Sequence, residues 1–570
     1  MPLVAIPESI ESLNRSEKSV MKSLKWIYLS EKGISYLYLE PKLQKVTPDF
    51  ILIDPDRGVV IIEVKAWRLS SIKSINNREV KSHNGNRMEN PLQKARRYLD
   101  SLKKVISDSE ILYKRGRPTV ELHSIVIFTE IDRDEARESG IDRFLNQNPA
   151  RALYRDDLKS LSYDTIFDGR FKPIKKKAVN EIRGRVFPEI EVVDIRGRDR
   201  FPLDITQERV AKNLPYGHYM VTGIPGSGKS VILLGRAIYL ATMFRDWKIL
   251  ILTYNRTLKH RLEIMLNEKR DKLLKLENIE IATFHQKAME LSNLSPSDYI
   301  EREDEFWRDI LPDDALKRAK PLYDSILVDE YQDFHMNWFK LILKMLIEHR
   351  DPNRKMVKNI FLAGDRLQSI YNPREVNWKR DIGLDMRGRS RLLKRSYRVT
   401  GEHISFGFHI LMRDRVYRDE ILKFYEGDSD ILLENIKRDS IELIESDIGG
   451  LIKRIEEILR GYNRNDILLI APTWKRVNEI KESLPIEMQS DIISSRDIVE
   501  DKAIFTTYHS SKGIESKVVV VVDADRVENR KLLYVASTRA SYRLILHGED
   551  FSSTTIGRDI VDSLNSIKGI

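Results

Sequence analysis

Gly223-Ile-Pro-Gly-Ser-Gly228-Lys229-Ser230 places two further glycines, Gly226 and Gly228, and then a lysine and a serine behind Gly223. Glycines let successive backbone N–H groups curl around a phosphate, and a helix opening at the lysine adds its positive end. On that reading Lys229 reaches the outer phosphates of a nucleotide and Ser230 holds Mg2+. Downstream, the apolar run Ser325-Ile-Leu-Val328 leads straight into Asp329-Glu330. A buried strand ending in two acids delivers carboxylates to the sheet edge where the phosphate loop also lies. Asp329 suits a Mg2+ ligand, and Glu330 suits the base that orients the attacking water.

A second cluster lies near the N-terminus. Glu63 and Lys65 are two apart on a predicted strand, so their side chains leave the same face. The stretch Asp54-Pro55-Asp56-Arg57-Gly58 is a hairpin turn, and centring it on Asp56 sets Asp49 opposite Glu63. A bulge at Gly58 would slip that register by one and separate the pair. With the register kept, two carboxylates and a lysine converge. Two acids can hold Mg2+, with Mn2+ as an alternative, while the lysine orients water, which is what phosphodiester hydrolysis needs.

These residues require elements to hold them. Apolar Ile10, Leu13, Val20, Met21, Leu24 and Ile27 recur at helical spacing and predict a helix over 9–29. Residues 50–54 and 59–67 read as buried strands, 91–106 as an amphipathic helix, and 123–128 as a further strand. The stretch 166–200 is rich in Lys and Arg, with Lys175, Lys176 and Lys177 in a row, and reads as a basic solvated linker. From 203 onward strand, loop and helix alternate, with strands expected at 219–222, 248–253, 325–328, 359–363, 466–470, 503–506 and 517–523. Alternation of this kind predicts parallel sheets with crossover helices, divided between two lobes.

Composition narrows the classes. The 570 residues are 41% hydrophobic and 32% charged, with a formal net charge of +10, which suits a polyanionic partner. The absence of cysteine excludes disulfides, thiol catalysis and cysteine-held zinc or iron–sulfur centres. No apolar run approaches the ~20 residues of a membrane span, and no basic-then-apolar leader is seen. The expectation is a cytoplasmic protein.

From Gln207 to Ala540 the motifs resemble, in order, those of the UvrD/Rep-type helicases of superfamily 1. The resemblance implies that Gln207 reads the adenine edge and that Tyr397 stacks on the base. Gln368 in Gly364-Asp365-Arg-Leu-Gln368 would sense the γ-phosphate, and Glu515 would hold the ribose. Arg398 and Arg539 would be the cationic fingers that complete the ATP site. Thr253, Tyr254, Asn255, Thr283, His285, Tyr371, Thr507, His509 and Lys512 fall on motifs that contact single-stranded nucleic acid. The family's base-stacking Trp after Tyr371 is replaced by Pro373, leaving Tyr371, Tyr254 or Trp378 as the stacking platform.

Residues 1–130 resemble the PD-(D/E)xK nucleases, most closely the nuclease-related domain called NERD. That likeness implies catalytic roles for Asp49, Glu63 and Lys65, a helix glutamate in Glu17 (with Glu11 second), and Gln93 at a glutamine-bearing helix start followed by Tyr98. Together the resemblances imply an α/β chain with a restriction-endonuclease-like domain at 1–165 and a basic linker at 166–200. Two RecA-like lobes would follow at 201–395 and 396–570. The implied activity is an ATP-dependent 3′→5′ DNA helicase or translocase with a Mg2+-dependent nuclease. Its substrates would be single-stranded and partly duplex DNA, in end processing, repair or degradation of foreign DNA. Two alternatives stay open: an ATP-dependent nucleic-acid-binding switch, and a helicase whose N-terminal domain only binds DNA.

Overall fold

The computed structural model describes residues 3–568 except 7–12, 32, 42, 44–45, 108, 110, 146–149, 187–190, 194–199, 204, 213–215, 271–275, 352, 370–376, 394–395, 397–398, 400, 426–439 and 495–500. The chain divides into two units, residues 1–214 with 269–274, and residues 215–268 with 275–570.

The first unit is built on a six-stranded sheet whose spatial order follows the chain: β1 (Leu3–Ile6), β2 (Ser35–Leu39), β3 (Phe50–Asp54), β4 (Gly58–Lys65), β5 (Leu122–Phe128) and β6 (Ala150–Leu153). β3 and β4 form an antiparallel hairpin, whereas β4, β5 and β6 run parallel. Parallel strands covered on both faces read as near-continuous apolar runs, as Val59–Ile62 of β4 and Ile125–Phe128 of β5 do. Helix α1 (Arg15–Ile27) covers one face with Val20, Met21 and Leu24, and α2 (Pro91–Ile106) covers the other with Leu92 and Ala95. α1 starts at a capping box, in which Asn14 accepts the Glu17 N–H and the Glu17 carboxylate accepts the Asn14 N–H at 2.8 Å. The helix is therefore shorter at its start than the apolar spacing predicts; residues 9–12 lie outside the described residues.

Residues 166–200 hold more than a solvated linker. Helix α3 (Lys176–Val186) runs through them, and a short antiparallel hairpin joins Glu191–Val193 to Arg200–Pro202. Arg183 of α3 is 2% exposed, donates to the Tyr38 hydroxyl at 2.8 Å and pairs with Glu208 of α4 (Ile205–Lys212). Part of the basic run is thus committed to a buried ion network, where each charge needs its partner to offset desolvation.

The second unit carries two sheets, all-parallel except for a short strand, Glu348–Arg350, that pairs antiparallel at the side of the first. The first has the order β9-β8-β10-β11-β7-β12, formed by β7 (His218–Gly223), β8 (Ile249–Thr253), β9 (Ile279–Thr283), β10 (Ser325–Asp329), β11 (Met356–Gly364) and β12 (Ser390–Leu393). The second has the order β13-β18-β17-β14-β16-β15, formed by β13 (Ile441–Glu445), β14 (Ile467–Ala471), β15 (Ile492–Ser494), β16 (Ala503–Thr507), β17 (Ser516–Val521) and β18 (Ala540–Gly548). Register decides what meets at the carboxyl edge of the first sheet. Thr222 of β7 pairs with Gly364 of β11, and Asp329 of β10 pairs with Ala363. The phosphate loop, the acid pair and the segment after Gly364 therefore leave the sheet side by side, where α/β folds place their ligands.

Candidate active sites

In the second unit the phosphate loop leaves β7 and enters helix α5 (Lys229–Met243). Gly226 and Gly228 sit at φ of +70° and +82°, a region that costs other residues dearly, so the loop can curl only with glycine there. The Lys229 ammonium donates to the loop's own carbonyls, Gly223 O at 3.0 Å and Ile224 O at 3.1 Å.

Beside it, Asp329 is hydrogen-bonded by Ser230 and accepts the Glu330 N–H at 3.1 Å. Burial, and then the charge of Glu330, push the Asp329 carboxyl well above the usual range. Its Oδ2 is buried with no partner among the described residues. An orphaned carboxylate oxygen next to a serine hydroxyl is a donor set that a hard divalent cation satisfies, so Ser230 and Asp329 fit Mg2+.

Glu330 sits at φ +53°, a strained conformation for a residue with a side chain, as functional strand ends often show. Burial opposes its ionisation, but Lys512 and Lys229 together hold the carboxyl below its ordinary value. Gln332 donates to Glu330, and its carbonyl accepts the Asp365 N–H at 3.1 Å.

The second sheet contributes directly to this site. Arg539 follows helix α6 (Arg530–Ser537) and donates to Gln368 Oε1 at 3.1 Å. Lys531 donates to Ser369 O at 3.0 Å, and the Tyr534 hydroxyl to Asp365 at 3.3 Å. Lys512, expected at the nucleic acid, lies here instead. It is 1% exposed, pairs with Asp333 at 2.6 Å, donates to Gln368 O at 2.7 Å and stands 3.9 Å from Glu330.

The other residues expected at nucleic acid are largely spent internally. Thr253 is fully buried and donates to Asn255 O, while Asn255 accepts the Leu258 N–H and Thr283 caps the helix that follows it. Tyr254 stacks on Trp338 at 6.1 Å, and Trp378 meets Tyr331 and Phe339 edge-on. Thr507 accepts the Ser510 N–H, and Glu515 lies 3.8 Å from Arg261. His509 is exposed. Gln207 is buried on α4 in the first unit. Tyr371, Tyr397 and Arg398 lie outside the described residues.

His285 packs against Trp307, Trp338 and Phe284. Burial drives its pKa from 6.5 down to about 4, against a backbone hydrogen bond with Trp307. The folded chain thus keeps this ring neutral where the unfolded chain takes up a proton. That contribution is complete above about pH 6.5 and is lost as the pH falls toward 4, for a total of about 2–3 kcal/mol. His285→Phe should flatten the acid side of the stability profile between those limits, read by denaturant unfolding at a series of pH values. An acid limb as steep as the parent's would contradict the buried neutral ring.

In the first unit the hairpin keeps the register that opposes the two acids. Phe50 pairs with Ile62 and Asp54 with Gly58, with no slip at the glycine. Asp49 Oδ2 accepts the Val64 N–H at 2.5 Å, which fixes it beside Glu63. Glu63 is fully buried; its Oε1 accepts Lys65 at 2.5 Å and Lys94 of α2 at 2.7 Å, while Oε2 has no partner among the described residues. Burial, then the charge of Glu63, raise Asp49 to a pKa of about 6. Two crowded carboxylates with an orphaned oxygen fit a divalent cation, which would relieve both penalties.

Glu17, expected as a third acid, spends both carboxylate oxygens on Asn14 in the capping box, although its charge still reaches Asp49. Gln93 is half-buried on α2, and Tyr98 donates to Thr47 O at 3.1 Å. Sequence reasoning missed Lys94, whose signal was its spacing of four from Tyr98 on the same helix. Among the described residues no three His, Asp or Glu side chains are grouped to hold a metal.

Three family models match the chain in order: the nuclease-related domain NERD over residues 12–129, an AAA domain over 206–374, and a UvrD-like helicase C-terminal domain over 502–547. The chain therefore joins an N-terminal nuclease-related domain to UvrD-like helicase domains. No curated protein matches it. Among the described residues no helix is long and apolar enough to cross a membrane.

Proposed function

We propose that this chain is an ATP-dependent 3′→5′ DNA helicase or translocase that carries its own Mg2+-dependent DNA nuclease and processes broken or foreign DNA ends. The observation that carries the motor half is the pairing of Arg539 with Gln368, which ties the second sheet to the phosphate edge of the first. A site completed from both sheets opens and closes with each nucleotide, and that is how hydrolysis becomes movement. Lys229 takes the outer phosphates in exchange for its two loop carbonyls. Glu330 orients the attacking water, and Arg539 with Arg398 neutralises charge on the transferring group. Ser230 and Asp329 would hold Mg2+, which would supply further neutralisation there. Tyr397 holds the adenine, Glu515 the ribose, and Tyr371 and His509 meet the nucleic acid.

In the nuclease-related domain Asp49 and Glu63 hold the divalent ion, and Lys65 orients the water. A divalent ion bound there would supply polarisation of the scissile phosphodiester; the protein keeps the two acids opposed and the lysine on the same face. The domains are assigned as nuclease 1–165, connector 166–200 and lobes 201–395 and 396–570.

Polarity is checked on partial duplexes with one single-stranded tail. A 3′ tail should support ATP-dependent unwinding and a 5′ tail should not. Both binding and unwinding should weaken steeply with salt, as counterion release requires. Unwinding from the 5′ tail alone would overturn the assignment of direction.

A further inference from the structure

Glu63 Oε1 is shared by two ammonium groups, from Lys65 at 2.5 Å and Lys94 at 2.7 Å, while Oε2 stays buried and unpartnered. One cation is enough to pair one carboxylate oxygen. The two lysines differ in what holds them. Lys65 comes from the same strand, two residues on, and pairs with Glu63. Lys94 comes from α2, with its ammonium 5.5 Å from the Tyr98 ring centroid one turn later.

The helix behind Lys94 is itself anchored. Asn90 is fully buried, accepts the Leu92 N–H and donates to Asn76 O at 3.0 Å and Phe144 O at 3.1 Å. Tyr98 bonds Thr47 O, two residues before Asp49. α2 therefore grips the acid of one strand directly and the approach to the acid of the other.

Resting on the nuclease reading above, we infer that Lys94 is the positioning residue of the metal site. It holds Glu63 Oε1 from the helix side so that Oε2 is presented to the metal and Lys65 is released for the water. Charge bookkeeping agrees. Two lysines balance Asp49 and Glu63, and a divalent ion arriving with a phosphodiester and a hydroxide adds no net charge. Loss of Lys94 would leave Lys65 as the only cation on Glu63. The metal would then meet less competing positive charge, and the lysine meant for the water would stay on the carboxylate.

The test uses the full chain without nucleotide and Mn2+ as the probe, read by the spin-resonance signal of the free ion, with Glu63→Gln defining binding at this site. Lys94→Ala should bind Mn2+ more tightly, on the order of tenfold, because a neighbouring cation is gone. It should cleave single-stranded DNA more slowly, roughly ten- to a hundredfold in kcat, with KM little changed. Lys94→Arg should keep the parent's Mn2+ affinity. Parent-like Mn2+ affinity and kcat in Lys94→Ala would overturn the assignment and leave the pair a purely structural ion pair. Weakened Mn2+ binding in Lys94→Ala would overturn it too, since that is what simple damage to the site does. A parent chain whose Mn2+ binding is indifferent to Glu63→Gln would instead remove the nuclease reading itself, and this inference with it.

Discussion

Glu330→Gln should bind ATP and fail to turn it over, with DNA-stimulated hydrolysis reduced by about 10²–10⁴, the usual worth of a positioned base. The substitution is nearly isosteric at a residue already held in a left-handed conformation, so the strand end keeps its shape. What disappears is the charge that Lys512 and Lys229 stabilise against burial. Lys229→Ala should be equally inactive for a different reason, because it removes the cation on the outer phosphates and weakens nucleotide binding as well. Nucleotide affinity measured beside steady-state turnover separates the two variants. DNA-stimulated hydrolysis near the parent's rate in either would refute the site.

Glu63→Ala should lower Mg2+-dependent strand cleavage roughly a hundredfold or more, since a catalytic metal supplies several kcal/mol and each 1.36 kcal/mol is tenfold in rate. The substitution removes one of two protein donors and strands Lys65 and Lys94 without their partner. Asp49→Ala should do the same. Neither residue lies in the unit that holds the phosphate loop, so DNA-stimulated hydrolysis of ATP should stay close to the parent's in both. Chelation cannot separate the two chemistries, because the proposed mechanism gives each a divalent ion. Cleavage by Glu63→Ala at the parent's rate would reduce Asp49, Glu63 and Lys65 to an ordinary hairpin with an ion pair.

The parts of this architecture that were legible in the sequence are those set by local chemistry. The turn Asp54–Gly58 fixes a hairpin register, and that register opposes Asp49 and Glu63 as the numbering implies. The phosphate loop and the apolar strand into Asp329 and Glu330 are likewise read from short segments whose neighbours in sequence are their neighbours in space. β9 and β13 were missed because Ile-Glu-Ile-Ala-Thr and Ile-Glu-Leu-Ile-Glu alternate polar with apolar residues and look like surface. Both are edge strands, where that pattern is allowed.

The site residues misplaced from sequence are those whose surroundings come from distant segments. Lys512 follows a strand of the second sheet, and nothing near it in sequence reveals that Asp333 and Gln368 of the first lobe enclose it. Lys94 is one position from the glutamine that drew attention, and only the packing of α2 against β4 shows which of the two reaches Glu63. Glu17 was within reach of sequence reasoning. Asn14 followed three residues later by a glutamate is a capping-box signature, and a carboxylate committed to a helix start is a poor metal ligand.

The central claim is that one chain holds two separable chemistries. It is tested most directly by a 3′-tailed partial duplex, labelled on the tailed strand, incubated with Mg2+ and either the parent chain or Lys229→Ala, with and without ATP. The account predicts that Lys229→Ala still cuts the exposed tail, with or without ATP. The parent should cut the tail without ATP and, with ATP, also displace and shorten the duplex portion. A labelled strand that keeps its full length with Mg2+ under every condition, while the parent unwinds it with ATP, would contradict the account and leave a helicase alone.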